Sequence, residues 1–281
     1  MNILYEDTAL VVLDKPAGLT SEEGVPAALR QRWGRPDAYV GVIHRLDTGV
    51  SGLMVYARTP GAAAALTKQV TESQQAYAIL DGRAEAGPGA PAQPCFLKTY
   101  RAVIAGGPDE QLPPEGILRD YLFKDSRKGR VFPVKRPRKG VREAVLEYRI
   151  VETAPDGSLS LAEITLHTGR THQLRVHFAL LGHPLCGDEV YGRAPTEHAP
   201  IGRQALHCLS LSFPVPFSTA ADRHATIPPM PEPTVPVNFP SDDGWMHTFA
   251  PLPPDMEALL CTAFPALNDS SGSCLLYTSP S

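Results

Sequence analysis

The residues at positions 44–52, H-R-L-D-T-G-V-S-G, constrain the fold of this chain more than any other segment. β-Rich stretches precede and follow them, at 40–43 and 53–56, so the segment turns the chain between two strands. Small, turn-forming residues fill its second half, and Asp47 stands where the turn begins. The pattern therefore predicts a carboxylate that is fixed to a bend of the backbone and faces outward.

Two interpretations of Asp47 are open from this spacing. Turns of the form Asp-x-Gly are common, and their aspartate often only caps the turn. A structural aspartate needs no arginine beside it, however, and Arg45 offers a donor fork suited to a phosphate or a carboxylate. A catalytic Asp47 and a capped turn are both compatible with these residues.

The composition is that of a globular protein of one or two domains: 281 residues, 43% hydrophobic and 20% charged. No apolar run approaches the ~20 residues of a membrane span, and the N-terminus lacks the features of a signal peptide. We therefore expect a cytoplasmic protein that does not enter a membrane. The five cysteines are scattered, and the histidines at 167, 172 and 177 are spaced by five, so we expect no bound metal.

Positive charge is concentrated in one stretch, although the formal net charge is −4. Nine Lys or Arg residues lie from Lys124 to Arg142 against the single acid Asp125, so this stretch carries +8 and the rest of the chain −12. We call residues 124–142 the basic stripe. Such a stripe on an acidic protein is typical of contact with a phosphate backbone. The alternative is a solvated loop, which is less favoured because unpartnered cations repel one another.

Hydrophobic periodicity predicts an alternation of strands and helices. Strands are predicted at 10–13, 96–104, 118–123, 130–135, 143–151 and 159–166. The basic stripe then lies on β-hairpins with turns at Gly129 and Gly140. Helices are predicted at 25–33, at 59–70 and after Thr171, which we expect to be an N-cap.

Arg175 lies beside the apolar face of this last predicted helix. Leu174, Phe178 and Leu181 recur at helical spacing and form that face. A cation on a packed helix flank usually has a buried anionic partner or extends to water. We expect Asp47 to be that partner.

The pattern changes beyond Phe217. Residues 227–240 are rich in proline, which predicts an extended connection. Residues 247–264 regain an apolar, helix-compatible pattern, and the final dozen residues show no folding pattern.

Residues 44–52 resemble the nucleophile motif of the RluA-type RNA pseudouridine synthases. Further segments resemble motifs of that family in the correct order: 4–18, K-T-Y-R-A at 98–102, 166–177, 182–188 with 191–192, and L-H-C at 206–208. One such motif is weak evidence, whereas several in the correct order are strong. The resemblance covers about residues 2–217.

The resemblance implies an α+β fold, with a mixed, largely antiparallel central sheet, flanking helices and a catalytic cleft. It implies isomerisation of uridines in ribosomal or transfer RNA to pseudouridine without cofactor or metal, by a chain we expect to be a monomer. Many relatives carry an additional N-terminal RNA-binding domain, which we expect this chain to lack. The implied organisation is a catalytic core at 1–217, a proline-rich connection at 218–246, a closing segment at 247–264 and a disordered tail at 265–281.

The resemblance also implies roles for individual residues. Asp47 is the implied nucleophile, Tyr100 the ring that packs against the uracil, and Arg175 the ion-pair partner that keeps Asp47 charged. Attack on the sugar, addition to the uracil ring and a glycal route all remain open for Asp47. Arg45 is expected to contact a phosphate or to fill the space left by the extruded base.

The remaining candidate substrate contacts fall into two groups. The basic stripe is expected to hold the flanking RNA through Arg136, Arg138 and Lys139. Residues near the last helix are expected either to contact the substrate or to support the motif loop: Arg170, His172 and Gln173.

Two other functions compete with an RNA pseudouridine synthase. A non-catalytic RNA-binding module on the same scaffold would be expected to have lost at least one of Asp47, Tyr100 and Arg175. A nucleoside or glycoside hydrolase would use Asp47 but usually needs a second carboxylate, and no paired acid lies in these motifs.

Overall fold

The computed structural model describes residues 1–192, 201–216 and 244–267 of the chain. Within these ranges the chain forms eleven strands, four α-helices and one turn of 3₁₀-helix. It divides into two compact units. The first contains residues 1–98 and 208–250, and the second contains residues 99–207 and 251–281.

Strands of the first unit lie in the order β1-β2-β4-β10, with β3 paired to β4 and β11 paired to β10. Their bounds are β1 Asn2–Glu6, β2 Leu10–Lys15, β3 Gly41–Val42, β4 Ser51–Ala57, β10 Leu206–Pro214 and β11 Trp245–Phe249. All seven residues of β4 are buried, as are the four apolar residues that open β2. The predicted strand at 10–13 and the predicted turn at 44–52 are therefore confirmed.

The two helices of this unit begin and end at residues that the sequence marks clearly. Helix α1 (Gly24–Trp33) ends at Gly34, which adopts the left-handed conformation with φ 62°. Helix α2 (Pro60–Leu80) begins after Thr59, whose side chain accepts a hydrogen bond from the backbone of Ala62. The prediction that α2 ends near residue 70 was wrong. The second half of α2 is mostly polar in sequence, but Ser73 and Ala76 are buried there. The hydroxyl of Ser73 forms hydrogen bonds with the backbone of Phe96.

Strands of the second unit lie in the order β5-β9-β8-β6-β7, and every neighbouring pair is antiparallel. Their bounds are β5 Leu97–Ala105, β6 Glu115–Asp125, β7 Arg130–Val134, β8 Val141–Thr153 and β9 Leu159–Leu166. The predicted hairpin with its turn at Gly129 is confirmed, because β6 pairs with β7. The second predicted hairpin, with its turn at Gly140, was wrong, because β8 pairs with β6 on the side opposite β7. The long strands β6 and β8 extend the sheet beyond the predicted bounds and place the basic stripe at one end of it.

Helix α3 (Gln173–Leu180) starts later than predicted. The predicted N-cap was Thr171, but the residue before the helix is His172, with a left-handed φ of 52° and no side-chain cap. This φ is unusual for a residue other than glycine. The left-handed residue turns the chain sharply into the helix and directs the His172 ring toward Tyr191, to which it hydrogen-bonds.

The C-terminal segment is more varied than a helix-compatible pattern indicates. Residues 245–249 form β11, paired antiparallel with β10, and helix α4 spans Pro254–Ala263. Prolines at 251, 253 and 254 separate the two elements. Residues 265–267 of the predicted tail form the 3₁₀ turn. The proline-rich residues 227–240 and the rest of the tail, 268–281, lie outside the described residues, so the predicted domain bounds stay a prediction.

The predicted α+β fold class is confirmed: the described residues form a large, mostly antiparallel sheet with four helices. Among those helices, none is both long enough and apolar enough to cross a bilayer.

Candidate active site

Asp47 lies at the start of a tight turn in the first unit. The backbone N–H of Val50 donates to the carbonyl of Asp47 at 2.9 Å and closes the turn. Gly52 then enters β4 with φ 117°, and a Cβ at this position would collide with the backbone of Cys208. The glycine allows β4 to approach its neighbour closely, so the strand holds the end of the turn.

A buried serine fixes the residue before Asp47. The hydroxyl of Ser21 donates to the carbonyl of Leu46 at 2.7 Å, and the N–H of Leu46 donates back to it at 3.1 Å. The phenol of Tyr56 holds Ser21 in turn by donating to its carbonyl at 2.9 Å. Because all three residues are buried, the backbone leading into Asp47 has little freedom.

A fully buried lysine supports the other side of the turn. The Lys15 ammonium donates to the carbonyls of Pro16 and Leu19, both at 2.9 Å, and to that of Thr48 at 3.4 Å. The N–H of Gly18 also donates to the Thr48 carbonyl, at 2.7 Å. The loop after β2 and the Asp47 turn are thus joined by one cation.

The side chains around Asp47 differ in their exposure. Asp47 is half-buried, whereas Arg45 is exposed and forms an ion pair with Glu22 at 3.0 Å. His44 is buried, and its Nε2 accepts a hydrogen bond from the N–H of Val55. Burial, with a smaller contribution from Lys98, lowers the pKa of His44 well below its usual value, so its imidazole is neutral.

In the second unit, Arg175 on α3 forms a buried ion pair that the sequence analysis missed. Its Nε donates to Oδ2 of Asp188 at 2.7 Å and its Nη2 to Oδ1 at 2.8 Å. Oδ1 also accepts from the backbone N–H groups of Val190 and Tyr191. Burial opposes the charge of Asp188, but these bonds outweigh it and hold its pKa below the usual value. The pair leaves Nη1 of Arg175 outside this bidentate contact.

Tyr191 connects this ion pair to the basic stripe. Its ring lies 5.2 Å from the Arg175 guanidinium and 5.4 Å from that of Arg130. Its hydroxyl accepts from the N–H of Val131 at 2.7 Å and lies 2.8 Å from Nδ1 of His172. Arg130 also donates to the carbonyl of Val190. The loop at 188–191 therefore joins α3 to β7. Asp188 and Tyr191 lie in segments that resemble family motifs, but the sequence predicted no role for either residue.

The other predicted residues near α3 differ in their surroundings. The buried Gln173 accepts from Thr168 Oγ1 and Arg170 N, and donates to the carbonyl of Val145. These bonds connect Gln173 to the motif loop, and its predicted contact with the substrate stays a prediction. Arg170 is half-buried and donates through Nε to the carbonyl of Glu143.

The remaining predicted residues lie on strands and turns. Tyr100 is 3% exposed on β5, paired with Ile164 of β9. The cations predicted to hold RNA are exposed in the turn between β7 and β8: Arg136, Arg138 and Lys139.

The predicted site residues are divided between the two units. The first holds Arg45 and Asp47, and the second holds the other predicted residues. The ion pair expected between Asp47 and Arg175 stays a prediction.

The family model described as RNA pseudouridylate synthase matches residues 9–180, more than half of the chain. The chain therefore belongs to the RNA pseudouridylate synthase family, and the resemblance found in the sequence is confirmed.

Curated relatives support this assignment. An RNA pseudouridine synthase of Synechocystis is 31% identical over 251 residues, covering 82% of this chain and 66% of that relative. The ribosomal large subunit pseudouridine synthase D of Zymomonas mobilis is 32% identical over 237 residues, covering 78% and 66%. The protein of the same name from Nitrosomonas europaea is 32% identical, covering 78% and 59%. The chain thus spans about two thirds, or less, of the length of these relatives.

Two solved human structures share the fold. RNA Pseudouridylate Synthase Domain Containing 4 has a TM-score of 0.60 at 20% identity, covering 92% of this chain and 91% of that one. RNA Pseudouridylate Synthase Domain Containing 1 has a TM-score of 0.55 at 23% identity, covering 92% and 94%. At these identities the likeness concerns the fold alone.

Proposed function

We propose that this chain isomerises uridine in RNA to pseudouridine, with Asp47 as the nucleophile. The proposal rests on the way in which neighbouring residues fix the position of Asp47. Its carboxylate is half-buried on a turn that Ser21 and Lys15 hold from both sides. Membership of the RNA pseudouridylate synthase family supports the same reaction class.

The chemistry suits a fixed carboxylate. The reaction breaks a C–N glycosidic bond, rotates the base and forms a C–C bond, and carboxylates are competent nucleophiles toward an anomeric carbon. Attack on the sugar, addition to the ring and a glycal route each begin from an ionised Asp47. Because substrate and product are isomers, the proposed reaction involves no net electron transfer, and we propose that it uses no cofactor.

Two residues of the second unit are assigned supporting roles. We assign Tyr100 to pack against the uracil and to accept a proton from the sugar or the ring. Arg175 is assigned to keep Asp47 ionised. Asp188 supports this role of Arg175, because a bidentate contact fixes the orientation of the guanidinium.

Binding requires the target nucleotide to leave its stack, which costs a few kcal/mol and least in loops. We assign Arg45 to contact a phosphate or to fill the space that the extruded base leaves. Its ion pair with Glu22 is exposed, and exposed pairs contribute little to stability, so a phosphate can replace the carboxylate of Glu22. Arg170 and His172 are assigned as further substrate contacts.

We propose ribosomal RNA as the target, with transfer RNA as the alternative. The names of the relatives from Zymomonas and Nitrosomonas support the first. We further propose that the chain acts as a cytoplasmic monomer. Mapping of pseudouridines across cellular RNA, with and without the gene, tests the target: a site lost only from transfer RNA would overturn the choice.

Substitution of Asp47 tests the mechanism directly. We expect Asp47→Asn to abolish tritium release from 5-tritiated uridine in RNA while changing RNA affinity by less than a few-fold, because the amide keeps the shape but not the charge. The matched control is Asp37→Asn, at an exposed aspartate of the same unit. Equal release by Asp47→Asn and wild type would remove Asp47 from the mechanism.

The same assay separates the competing functions. A non-catalytic RNA-binding module would bind RNA but release no tritium even as wild type. A hydrolase would liberate free uracil and leave an abasic site, which mass spectrometry of the RNA detects. Pseudouridine without free uracil is the result that our proposal expects.

A further inference from the structure

The hairpin of β6 and β7 carries two phenylalanines on its outward face. Phe123 and Phe132 are directly opposite each other in the antiparallel register. Their neighbours Leu122 and Val131 point to the other face, where they are buried with Val176 of α3. Phe132 is 36% exposed, and Phe123 is partly exposed. The hairpin thus uses one face for its core contacts and leaves aromatic rings on the other.

Each ring lies next to a cation of the basic stripe. The Arg138 guanidinium is 5.4 Å from the centre of the Phe123 ring, and the Lys128 ammonium is 5.7 Å from that of Phe132. A Cβ on Gly140 would lie 3.4 Å from the Phe123 ring, so the turn after β7 passes close to the ring edge. The surface therefore combines planar aromatic groups with concentrated positive charge.

This combination is not explained by solubility. A solvated charged loop requires no apolar rings, and exposing a phenylalanine is unfavourable. Proteins that hold single-stranded nucleic acid combine a positive surface with aromatic rings on which bases stack, and Arg planes add a further stacking surface. A duplex keeps its base faces stacked inside the helix, and an acidic peptide offers carboxylates but no base faces.

We infer that the outward face of the β6–β7 hairpin is a stacking site for unpaired bases of the RNA substrate. Phe123 and Phe132 contact the base planes, while Lys128 and Arg138 contact the adjacent phosphates. The inference rests on the proposed function and adds to it a class of substrate: the RNA held by the basic stripe is single-stranded, as in a loop, and not a continuous helix.

Binding measurements with two RNA probes test the stacking site. The probes are an unstructured 12-nucleotide RNA and a 12-base-pair RNA duplex, and the protein carries Asp47→Asn so that no turnover occurs. We expect Phe132→Leu to weaken binding of the single strand about tenfold and to leave both duplex binding and the salt dependence unchanged. Phe249→Leu, at a similarly exposed phenylalanine on β11, is the matched control and should change neither.

A second measurement does not depend on a loss of affinity. Phe132→Trp places an indole on the same face, and we expect its fluorescence to be quenched by the single strand more than by the duplex. The chain without an added tryptophan gives the background of Trp33 and Trp245, and Phe249→Trp is the matched control. Urea unfolding of each variant verifies that the fold is intact.

Several outcomes would overturn the inference. The first is that Phe132→Leu binds the single strand with unchanged affinity, and the second is that it loses affinity equally for both probes. The third is that a glutamate decapeptide binds more tightly than RNA, in a way that depends on Phe132. If the chain binds neither RNA, the stacking site is wrong, and the proposed function fails with it only if wild type also releases no tritium. If it binds RNA independently of Phe132, the stacking site alone is wrong.

Discussion

At the scale of single residues, Asp14 on β2 is a partly buried carboxyl with an incomplete set of hydrogen bonds. Its Oδ1 has no hydrogen-bond partner within the described part of the chain. Burial raises the pKa of Asp14 to about 6, although the neighbouring cations and the N–H of Gly52 oppose this. Folding therefore favours the neutral form of Asp14, in contrast to the buried Asp188, whose charged form Arg175 stabilises.

This raised pKa predicts how stability depends on pH. The folded chain binds more protons than the unfolded chain between pH ~4 and ~6, so the contribution of Asp14 to stability falls as pH rises through this window. We expect Asp14→Asn, which resembles the neutral acid, to be more stable than wild type at pH 7.5 by up to about 3 kcal/mol.

Urea unfolding at several pH values measures the effect. The advantage of Asp14→Asn should shrink as the pH is lowered from 7 toward 4. Asp37→Asn, at an exposed aspartate, should show no such trend. If the difference in unfolding free energy between Asp14→Asn and wild type is constant across this range, titration of the Asp14 carboxyl does not cause the pH dependence.

At the scale of elements, the loop at 188–191 connects helix α3 to strand β7 within the second unit. Asp188 fixes Arg175 on α3, and Tyr191 fixes the backbone of β7 through Val131. The two contacts lie three residues apart, so movement of the hairpin is transmitted to the loop that holds Arg175. Tyr191 is therefore a positioning residue in our interpretation of the site.

Removal of the Tyr191 hydroxyl tests this coupling. Tyr191→Phe keeps the ring beside both guanidinium groups but leaves the N–H of Val131 without its partner. We expect a loss of about 1–2 kcal/mol in the free energy of unfolding, and a fall in kcat larger than any rise in KM. Tyr39→Phe, at an exposed tyrosine, is the control. Unchanged kcat with lowered stability would reduce Tyr191 to a purely structural role.

Strands and helices were predictable where the pattern is local. Residues 10–13 and 159–166 show the apolar character of buried strands, and Gly34 marks the end of α1. The strand β11 was not predictable, because it depends on pairing with β10, about thirty residues away in sequence.

Within the candidate site, the same distinction between local and distant information holds. The turn at Asp47 could be predicted because its small residues adjoin the acid. The pairing of Arg175 with Asp188 could not be predicted, because it joins residues 13 positions apart that follow no periodicity. Nor could the roles of Lys15 and Ser21, because each holds a backbone carbonyl or amide of a distant loop, and backbone groups carry no signal in the sequence.

At the scale of the whole molecule, charge is distributed very unevenly. The basic stripe carries +8 on a chain with a formal net charge of −4. A polyanion is therefore attracted to one region and repelled elsewhere, which orients RNA during encounter and makes binding depend on salt. Because most of the stripe's cations are exposed, their contribution is mainly to RNA affinity and little to folding.

Neutralisation of part of the stripe tests this view. The variant is Arg136→Gln with Arg138→Gln and Lys139→Gln. If each cation neutralises one phosphate, the slope of log affinity against log salt should become about 2 less steep, since single strands release ~0.7 counterion per contact. The reaction rate at saturating RNA should stay close to that of wild type, because none of the three is assigned to the chemistry.

The matched control removes the same charge elsewhere, at exposed cations of the first unit: Arg32→Gln, Arg35→Gln and Lys68→Gln. Equal slopes for the two triple variants would mean that net charge alone governs binding. A slope changed only by the stripe variant would locate the phosphate contacts there. The salt dependence of RNA affinity thus distinguishes the two kinds of contact on the hairpin. Loss of a cation changes the slope of log affinity against log salt. Loss of the Phe132 ring changes the affinity by the same factor at every salt concentration.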